Sequence, residues 1–520
     1  MLYYNHSFLV FDNWRNTMKL LMLFPEFTRT FWSYDDILCF VGKKAAFTPA
    51  GLLQIAGALP ESWDMRLVDL SVHRLTDKDI KWADLVFASA MKTQEDSLRK
   101  VLLKCEKFGK RVALGGPILQ MGCEKFPSVS HFFLGEAEDT LPEFLKDLEK
   151  NEAKKIYTSS TFPSLANSKP SRWDLVDLEN YSAPIVQIGR GCCYKCTFCD
   201  VCVINGRVPR FRPESVILAE LDSLFATGYR GSVLFADDNI IGNKKRAKTI
   251  LYKLAVWQIE HGYPFRFTGE FDITLADDFE LMELTVRAGF RKIFLGLETF
   301  NKESLIECGK LQNVRGPDGS SRNMASCVWK MQEQGLVPMS GFIVGFDADN
   351  PESFDTEMIA GIREAGIVIA MPGVLQAPQG SKLYKMREQE GRLLTQASGN
   401  NTDWEPNFVP KMPLGRLEQG YKNIVQTIYD PKEYYKTICK FLEHYQPVKL
   451  SSRKLSLNNL KIFARAILWI GLLGGPRVSY YFWKSLRKVL ACKKTGAFAD
   501  VVDAQIRGVH FRKVAKGIGK

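Results

Sequence analysis

Five of the twelve cysteines in this 520-residue chain, Cys192, Cys193, Cys196, Cys199 and Cys202, fall within eleven residues. A disulfide framework spreads its cysteines along a small secreted chain, whereas a tight cluster in a long chain points to a metal. The run Gly189-Arg190-Gly191-Cys192-Cys193-Tyr194-Lys195-Cys196-Thr197-Phe198-Cys199-Asp200 allows two centres. One is a structural zinc ion, with Cys193 or Cys202 as the fourth thiolate. The other is a [4Fe–4S] cube on Cys192, Cys196 and Cys199. Three thiolates on four irons leave one iron without a protein ligand, open to a small molecule.

The loop follows an apolar run over residues 183–188. Further strands are expected at 232–236, 265–269, 292–297, 339–344 and 368–371, with helices between them. This βα series predicts a partial or full (β/α) barrel over residues 181–382, whose chemistry sits at the carboxyl ends of the strands. Four such ends carry functional groups: Asp237-Asp238-Asn239, Gly269-Glu270, Glu298 and Gly345. Taken singly, a glycine there is a turn and an acid a helix N-cap.

Residues 18–150 alternate strands at 20–24, 65–70, 85–88, 111–114 and 132–134 with helices after Thr48-Pro49, over 95–108 and over 139–149. The expectation is a doubly wound, Rossmann-like α/β domain with a parallel sheet covered on both faces. Residues 1–17 read as a tail. Residues 151–180, with Ser159, Ser160, Pro163, Ser168 and Pro170, read as a linker. Residues 383–520 form a helical, basic extension.

The pattern Cys192-x3-Cys196-x-Phe198-Cys199 resembles the cluster loop of the radical S-adenosylmethionine (SAM) superfamily. The resemblance implies SAM chelated to the open iron, with Phe198, Asp237, Asp238, Asn239, Gly269, Glu270, Glu298 and Gly345 at the positions that surround it. It gives Cys193 and Cys202 no place as ligands. The first domain resembles the cobalamin-binding domain of one radical SAM subgroup, with Ser89-Ala90-Met91, Gly115-Gly116-Pro117 and Gly135-Glu136 at the contact positions. Where many such domains have Asp-x-His, this chain has Asp69-Leu70-Ser71, so cobalt without a histidine ligand is implied, and His73 reads as a surface loop residue.

This layout is similar to the cobalamin-dependent radical SAM methylases, which include hopanoid C-2 methylase and bacteriochlorophyll side-chain methylases. A methyltransferase acting on an unactivated carbon of a lipid-like, tetrapyrrole or secondary-metabolite substrate is implied. Its cofactors would be a [4Fe–4S] cluster, SAM and cobalamin, and its electron donor a flavodoxin or ferredoxin. A cobalamin-dependent cyclase or rearrangement enzyme without methyl transfer is the alternative, and a zinc-stabilised binding module is the alternative of another class.

The net charge of +12 is concentrated at one end. From residue 451 onward stand fifteen Lys and Arg against Asp500 and Asp503, so the rest of the chain is nearly neutral. Trp469, Tyr480, Tyr481, Phe482 and Trp483 alternate there with Arg477, Lys484, Arg487 and Lys488. Such a face suits an anionic membrane surface. Nucleic acid is the weaker rival, and packing of the aromatics against the barrel is the plain alternative. The apolar run 462–475 is broken by Arg465 and glycines and is shorter than the roughly 20 residues a spanning helix needs. With no basic start and apolar core of a secretory signal at residues 1–16, a cytoplasmic location is expected, with the inner face of the membrane as the place for peripheral contact.

Overall fold

The computed structural model describes residues 18–159, 161–450 and 457–517, and the expected tail over 1–17 lies outside them. The chain divides into two compact units.

In the first unit, six strands form one parallel sheet: β1 Lys19–Phe24, β2 Asp64–Asp69, β3 Leu85–Ser89, β4 Arg111–Gly115, β5 His131–Leu134 and β6 Ile156–Thr158, in the order β2-β1-β3-β4-β5-β6. Alternation along β1 shows why both faces are covered. Leu21 and Leu23 join a core with Leu98, Val101 and Leu102 of the helix Glu95–Lys107. Leu20 and Met22 point the other way, to Leu52 of the helix Ala50–Ala58 and Leu141 and Phe144 of the helix Ala137–Glu149. Such double burial is why these strands read as apolar runs rather than as alternation. The expected linker differs in the structure: Ile156-Tyr157-Thr158 pairs with β5 as the sixth strand, and Tyr157 is buried.

The second unit also takes in Arg29–Phe47, far upstream in sequence. The strand Ala45–Phe47 pairs in parallel with Tyr181–Ala183, just before the barrel sheet begins. That sheet consists of β7 Ile185–Val186, β10 Ser232–Phe235, β11 Arg266–Phe271, β12 Phe290–Glu298, β13 Val337–Val344 and β14 Ile369–Val374. These six strands are parallel and ordered as in the chain, with β7 and β14 at the edges. The arrangement is the partial form of the expected barrel. Between β7 and β10 a small antiparallel ladder, β8 Gly189–Arg190 with β9 Arg210–Phe211, brackets the cysteines. Helices Leu414–Ile428, Pro431–His444, Pro476–Ala491 and Phe498–Gly517 make up most of the C-terminal region.

Candidate active site

The chain leaves the carboxyl end of β7 through Gln187 and Ile188 into the β8–β9 ladder. Gly191 turns it with φ 99°, and a Cβ there would stand 2.9 Å from the Val208 carbonyl, so glycine is required at this point. The Cys192 N–H donates to Gly206 O at 3.2 Å. At the loop's centre the Thr197 N–H donates to Cys308 O at 2.9 Å, and Thr197 O accepts the Leu383 N–H at 2.7 Å. Segments following β12 and β14 thus clamp the cysteine loop.

Carboxylates at the end of β10 hold the loop's entrance. Asp237 is buried and accepts the Ile188 N–H at 3.1 Å and the Gly189 N–H. Asp238 accepts the Gly191 N–H at 2.7 Å and Asn205 Nδ2 at 3.0 Å. Asn239 donates to Asp272 Oδ2 at 2.8 Å. Asp237 and Asp238 thus hold the backbone that leads into the cysteines, whereas Asn239 ties β10 to Asp272 after β11. Burial pushes the Asp237 carboxyl up to about 7, and it raises Asp238 as well.

Glu270, on β11, differs from them. No hydrogen bond acts on its carboxylate among the described residues, and burial, reinforced by the charges of Asp238, Asp237 and Cys192, pushes it up to about 8. A cation placed beside it would favour the carboxylate form. Gly269 on the same strand closes against Ile240 and Phe290, where a side chain would collide.

Glu298 ends β12 in the left-handed region, φ 66°, just after the strand's register shifts. Such a conformation in a residue other than glycine is strained and persists only where surroundings enforce it. Here Asn313 Nδ2 donates to both Gly296 O and Leu297 O at 3.0 Å, and the Glu298 carboxylate pairs with Lys310 Nζ. The pair is 7% and 8% exposed. The positive charge of Lys310 also favours the thiolate forms of Cys192, Cys196 and Cys199. Neither Lys310 nor Asn313 stands out in the sequence. The one available signal is Gly309 (φ 73°), which ends the helix Lys302–Glu307 and turns the chain back.

Gly345, with φ 100°, follows β13 and is held by Asp349, which accepts the Gly345 N–H at 2.8 Å, the Phe346 N–H at 3.1 Å and the Ser304 hydroxyl at 2.6 Å. Phe198 packs edge-on against Phe346, with ring centroids 6.3 Å apart, beside a core that contains Leu375 and Leu383. The aromatic of the cysteine loop therefore seats the loop on the end of β13.

Burial raises the Cys196 and Cys199 thiols; the charge of Cys192 opposes ionisation of Cys196, and that of Cys196 opposes ionisation of Cys199. Among the described residues no three His, Cys, Asp or Glu side chains gather round one ion-sized point. A cube takes its thiolates at three separate irons, and three cysteines on one loop, with the Lys310 charge acting on each, supply that donor set. Cys193 favours the thiolate form of its neighbour Cys192. Cys202 donates to Tyr194 O at 3.2 Å within the loop.

In the first unit the order of strands reverses at β1, which lies between β2 and β3, and ligands of open parallel sheets bind beside the carboxyl ends at such a point. Gln94, buried there, donates to Pro25 O after β1 and accepts the Met91 N–H at 2.8 Å after β3. Sequence reading did not single it out. Ser89, Ala90 and Gly116 meet: a Cβ on Gly116 (φ 95°) would stand 2.8 Å from Ala90 O and 2.9 Å from Ser89 Oγ, and Ile118 N–H donates to Ala90 O at 3.0 Å. Met91 is exposed beside them, and Gly115 and Pro117 flank Gly116. Gly135 (φ 97°) passes close to Ser159, and Glu136 immediately precedes the helix that follows. Ser71 lies in a turn beneath Asp69, whose Oδ1 accepts its N–H at 2.8 Å, and His73 is exposed.

A partial parallel barrel with a three-cysteine loop at its first strand, preceded by a doubly wound domain, defines the architecture of a radical SAM protein with an N-terminal cobalamin-type domain. The Radical SAM superfamily model matches residues 186–358, and that of a domain of unknown function, DUF4070, matches residues 381–520. An uncharacterized methyltransferase of Synechocystis sp. is 37% identical over 471 residues, 90% of this chain and 86% of the relative. Hopanoid C-2 methylase of Rhodopseudomonas palustris is 28% identical over 519 residues, 97% of this chain and 96% of the relative. Among solved structures, the cobalamin-dependent SAM radical enzyme OxsB superposes with a TM-score of 0.62 at 12% identity, covering 96% of this chain and 80% of OxsB. The radical SAM methyltransferase TsrM of Kitasatospora setae gives 0.56 at 14% identity, covering 77% and 84%. The chain belongs to the radical SAM superfamily, in the methyltransferase family of the Synechocystis protein.

Proposed function

We propose that this enzyme is a cobalamin-dependent radical SAM methylase that adds a methyl group to an unactivated carbon of a lipid-like, tetrapyrrole or secondary-metabolite substrate. The observation that carries the reading is the cysteine loop held at the carboxyl edge of the partial barrel beside Glu270, a carboxylate with no partner of its own. When bound, the cluster and SAM supply a radical able to take hydrogen from such a carbon, and cobalamin supplies the methyl group.

The chain's own residues bind and orient. Cys192, Cys196 and Cys199 hold the cluster, and Asp237 and Asp238 fix the backbone beneath them. Glu270 faces the cationic part of SAM, where its charge is offset. Gly269 and Gly345 let backbone approach closely, and Phe198 on Phe346 shields the loop from water. Ser89, Ala90, Met91, Gly115, Gly116, Pro117, Gly135 and Glu136 would hold cobalamin, with Ser71 at the place where a histidine ligand would stand. A flavodoxin or ferredoxin supplies electrons.

Among the substrate classes, the near full-length similarity to a hopanoid C-2 methylase favours the lipid-like one, and with it work at a membrane face. The test is incubation with SAM deuterated in its methyl group. A product heavier by a fully deuterated methyl supports methyl transfer. A product of altered structure without the label points instead to ring formation or rearrangement.

A further inference from the structure

Residues 457–491 form a helical hairpin: an arm of the α-helix Leu457–Ala466 continued by the π-helical run Ile467–Leu472, a Gly474-Gly475 turn, and the helix Pro476–Ala491. Its inner side is packed. Ile470, Phe482, Leu486 and Val489 are buried, and Gly471 approaches the other arm so closely that a Cβ would stand 3.1 Å from the Phe482 ring. A π-helical turn shifts its carbonyls out of the regular ladder. Two of them are satisfied across the hairpin: Gly471 O by Trp483 Nε1 at 3.0 Å and Ile470 O by the Ser479 hydroxyl at 3.1 Å. The tip therefore has a defined shape.

That tip is apolar and uncovered among the described residues. Leu472 is 63% exposed, Leu473 62% and Trp469 55%, with Leu468 beside them and Tyr480 and Leu490 exposed along the second arm. A contiguous apolar patch of this kind marks an interaction surface. Charge selects the partner. Residues 457–491 contain Lys461, Arg465, Arg477, Lys484, Arg487 and Lys488 and not one Asp or Glu. Arg477 is paired with Asp430 at 2.8 Å, whereas Lys461 and Arg487 are exposed. A second copy would bring like charge against like. A leucine tip adds nothing to phosphate contact along a nucleic acid. Among the described residues no helix is long and apolar enough to cross a membrane, and the interface plane is where Trp and basic side chains settle.

We propose that this hairpin docks the enzyme onto an anionic lipid bilayer, with Leu468, Trp469, Leu472 and Leu473 entering the acyl boundary while Lys461 and Arg487 meet lipid phosphates. The inference deepens the proposed function, since a lipid-like substrate is met at that surface, yet its test reads binding alone.

The test is flotation of the full-length holoenzyme with vesicles of phosphatidylcholine, with and without phosphatidylglycerol. The wild type floats with the anionic vesicles and stays behind with the neutral ones. The double substitution Leu472→Asp with Leu473→Asp abolishes flotation. Lys461→Glu with Arg487→Glu weakens it by about tenfold or more at low salt, at about 1 kcal/mol per charge. Iron content and far-UV circular dichroism, unchanged, show that each variant is folded. Trp469→Phe is the milder variant, and it reduces the blue shift of tryptophan emission that vesicles cause. Three results overturn the proposal: a wild type that ignores anionic vesicles, an aspartate variant that floats like the wild type, or a dimer in sedimentation that the aspartates dissolve. A chain that floats yet transfers no methyl group supports the docking and counts against the proposed function.

Discussion

Lys310 and Glu298 form a buried ion pair at the edge of the cysteine loop, and the lysine's charge reaches all three expected cluster ligands. Burying two charges is tolerated when each satisfies the other, and removing one strands its partner. Lys310→Met is expected to cost about 3–5 kcal/mol for that reason, read as a lower urea midpoint. In the folded variant, loss of the cation is expected to lower the cluster's reduction potential, read by titration with electron paramagnetic resonance. Lys310→Arg is expected to keep most of the potential, and a potential unmoved in both variants would show that the lysine does not act on the cluster.

Gly296 lies directly over this pair, and a Cβ there would collide with Lys310 Nζ and Glu298. Gly296→Ala is expected to destabilise the chain by about 1–3 kcal/mol through overpacking. It is also expected to lower the affinity for SAM, measured by equilibrium dialysis against the holoenzyme, while Gly415→Ala, where space is open, leaves that affinity unchanged.

Asp237 gives the cofactor-free chain a pH dependence of definite sign. Its usual carboxyl value of 3.8 rises to about 7 in the folded state through burial, with Asp238 raising it further and Arg212 opposing. The folded chain then binds more protons than the unfolded one between these values, so stability falls as pH rises from about 4 toward 7. Glu270, raised to about 8, adds a slope of the same sign. The change in urea midpoint between about pH 4 and 7 is expected to be more negative in the wild type than in Asp237→Asn. Equal slopes would show that the carboxyl is not perturbed.

The first unit offers a paired test. Gly116→Val combines a φ of 95° with collision against Ala90 O and Ser89 Oγ. It is expected to weaken cobalamin binding at least about tenfold, a loss of about 1.4 kcal/mol. His73 is exposed in the turn after β2. His73→Ala is expected to leave both the affinity and the visible spectrum of bound cobalamin unchanged, and a spectral change would make His73 a cobalt ligand.

The strands were legible because parallel strands buried on both faces read as unbroken apolar runs, as Leu20 to Leu23 do. Ile156-Tyr157-Thr158 was not, since three residues with one buried side chain resemble any polar linker. Nor could Arg29–Phe47 be seen to join the second unit, because its pairing with Tyr181–Ala183 spans more than a hundred residues. At the site, spacing marked the cysteines and the strand ends. What it could not show was which donors each carboxylate meets. Asp237 and Asp238 are bound to the backbone of the cysteine loop, leaving Glu270 as the acid without a partner. Lys310 was hidden because Gly309 marks only a helix end, and the strained Glu298 that the lysine pairs with has no sequence pattern.

The most direct test of the account is metal and sulfide analysis of the anaerobically purified chain, together with electron paramagnetic resonance of the reduced protein before and after SAM is added. The expected result is about four irons and four sulfides per chain, a signal that shifts when SAM binds, and loss of both in a variant with Ala at 192, 196 and 199. Zinc without iron, or a cluster that survives those three substitutions, would contradict it.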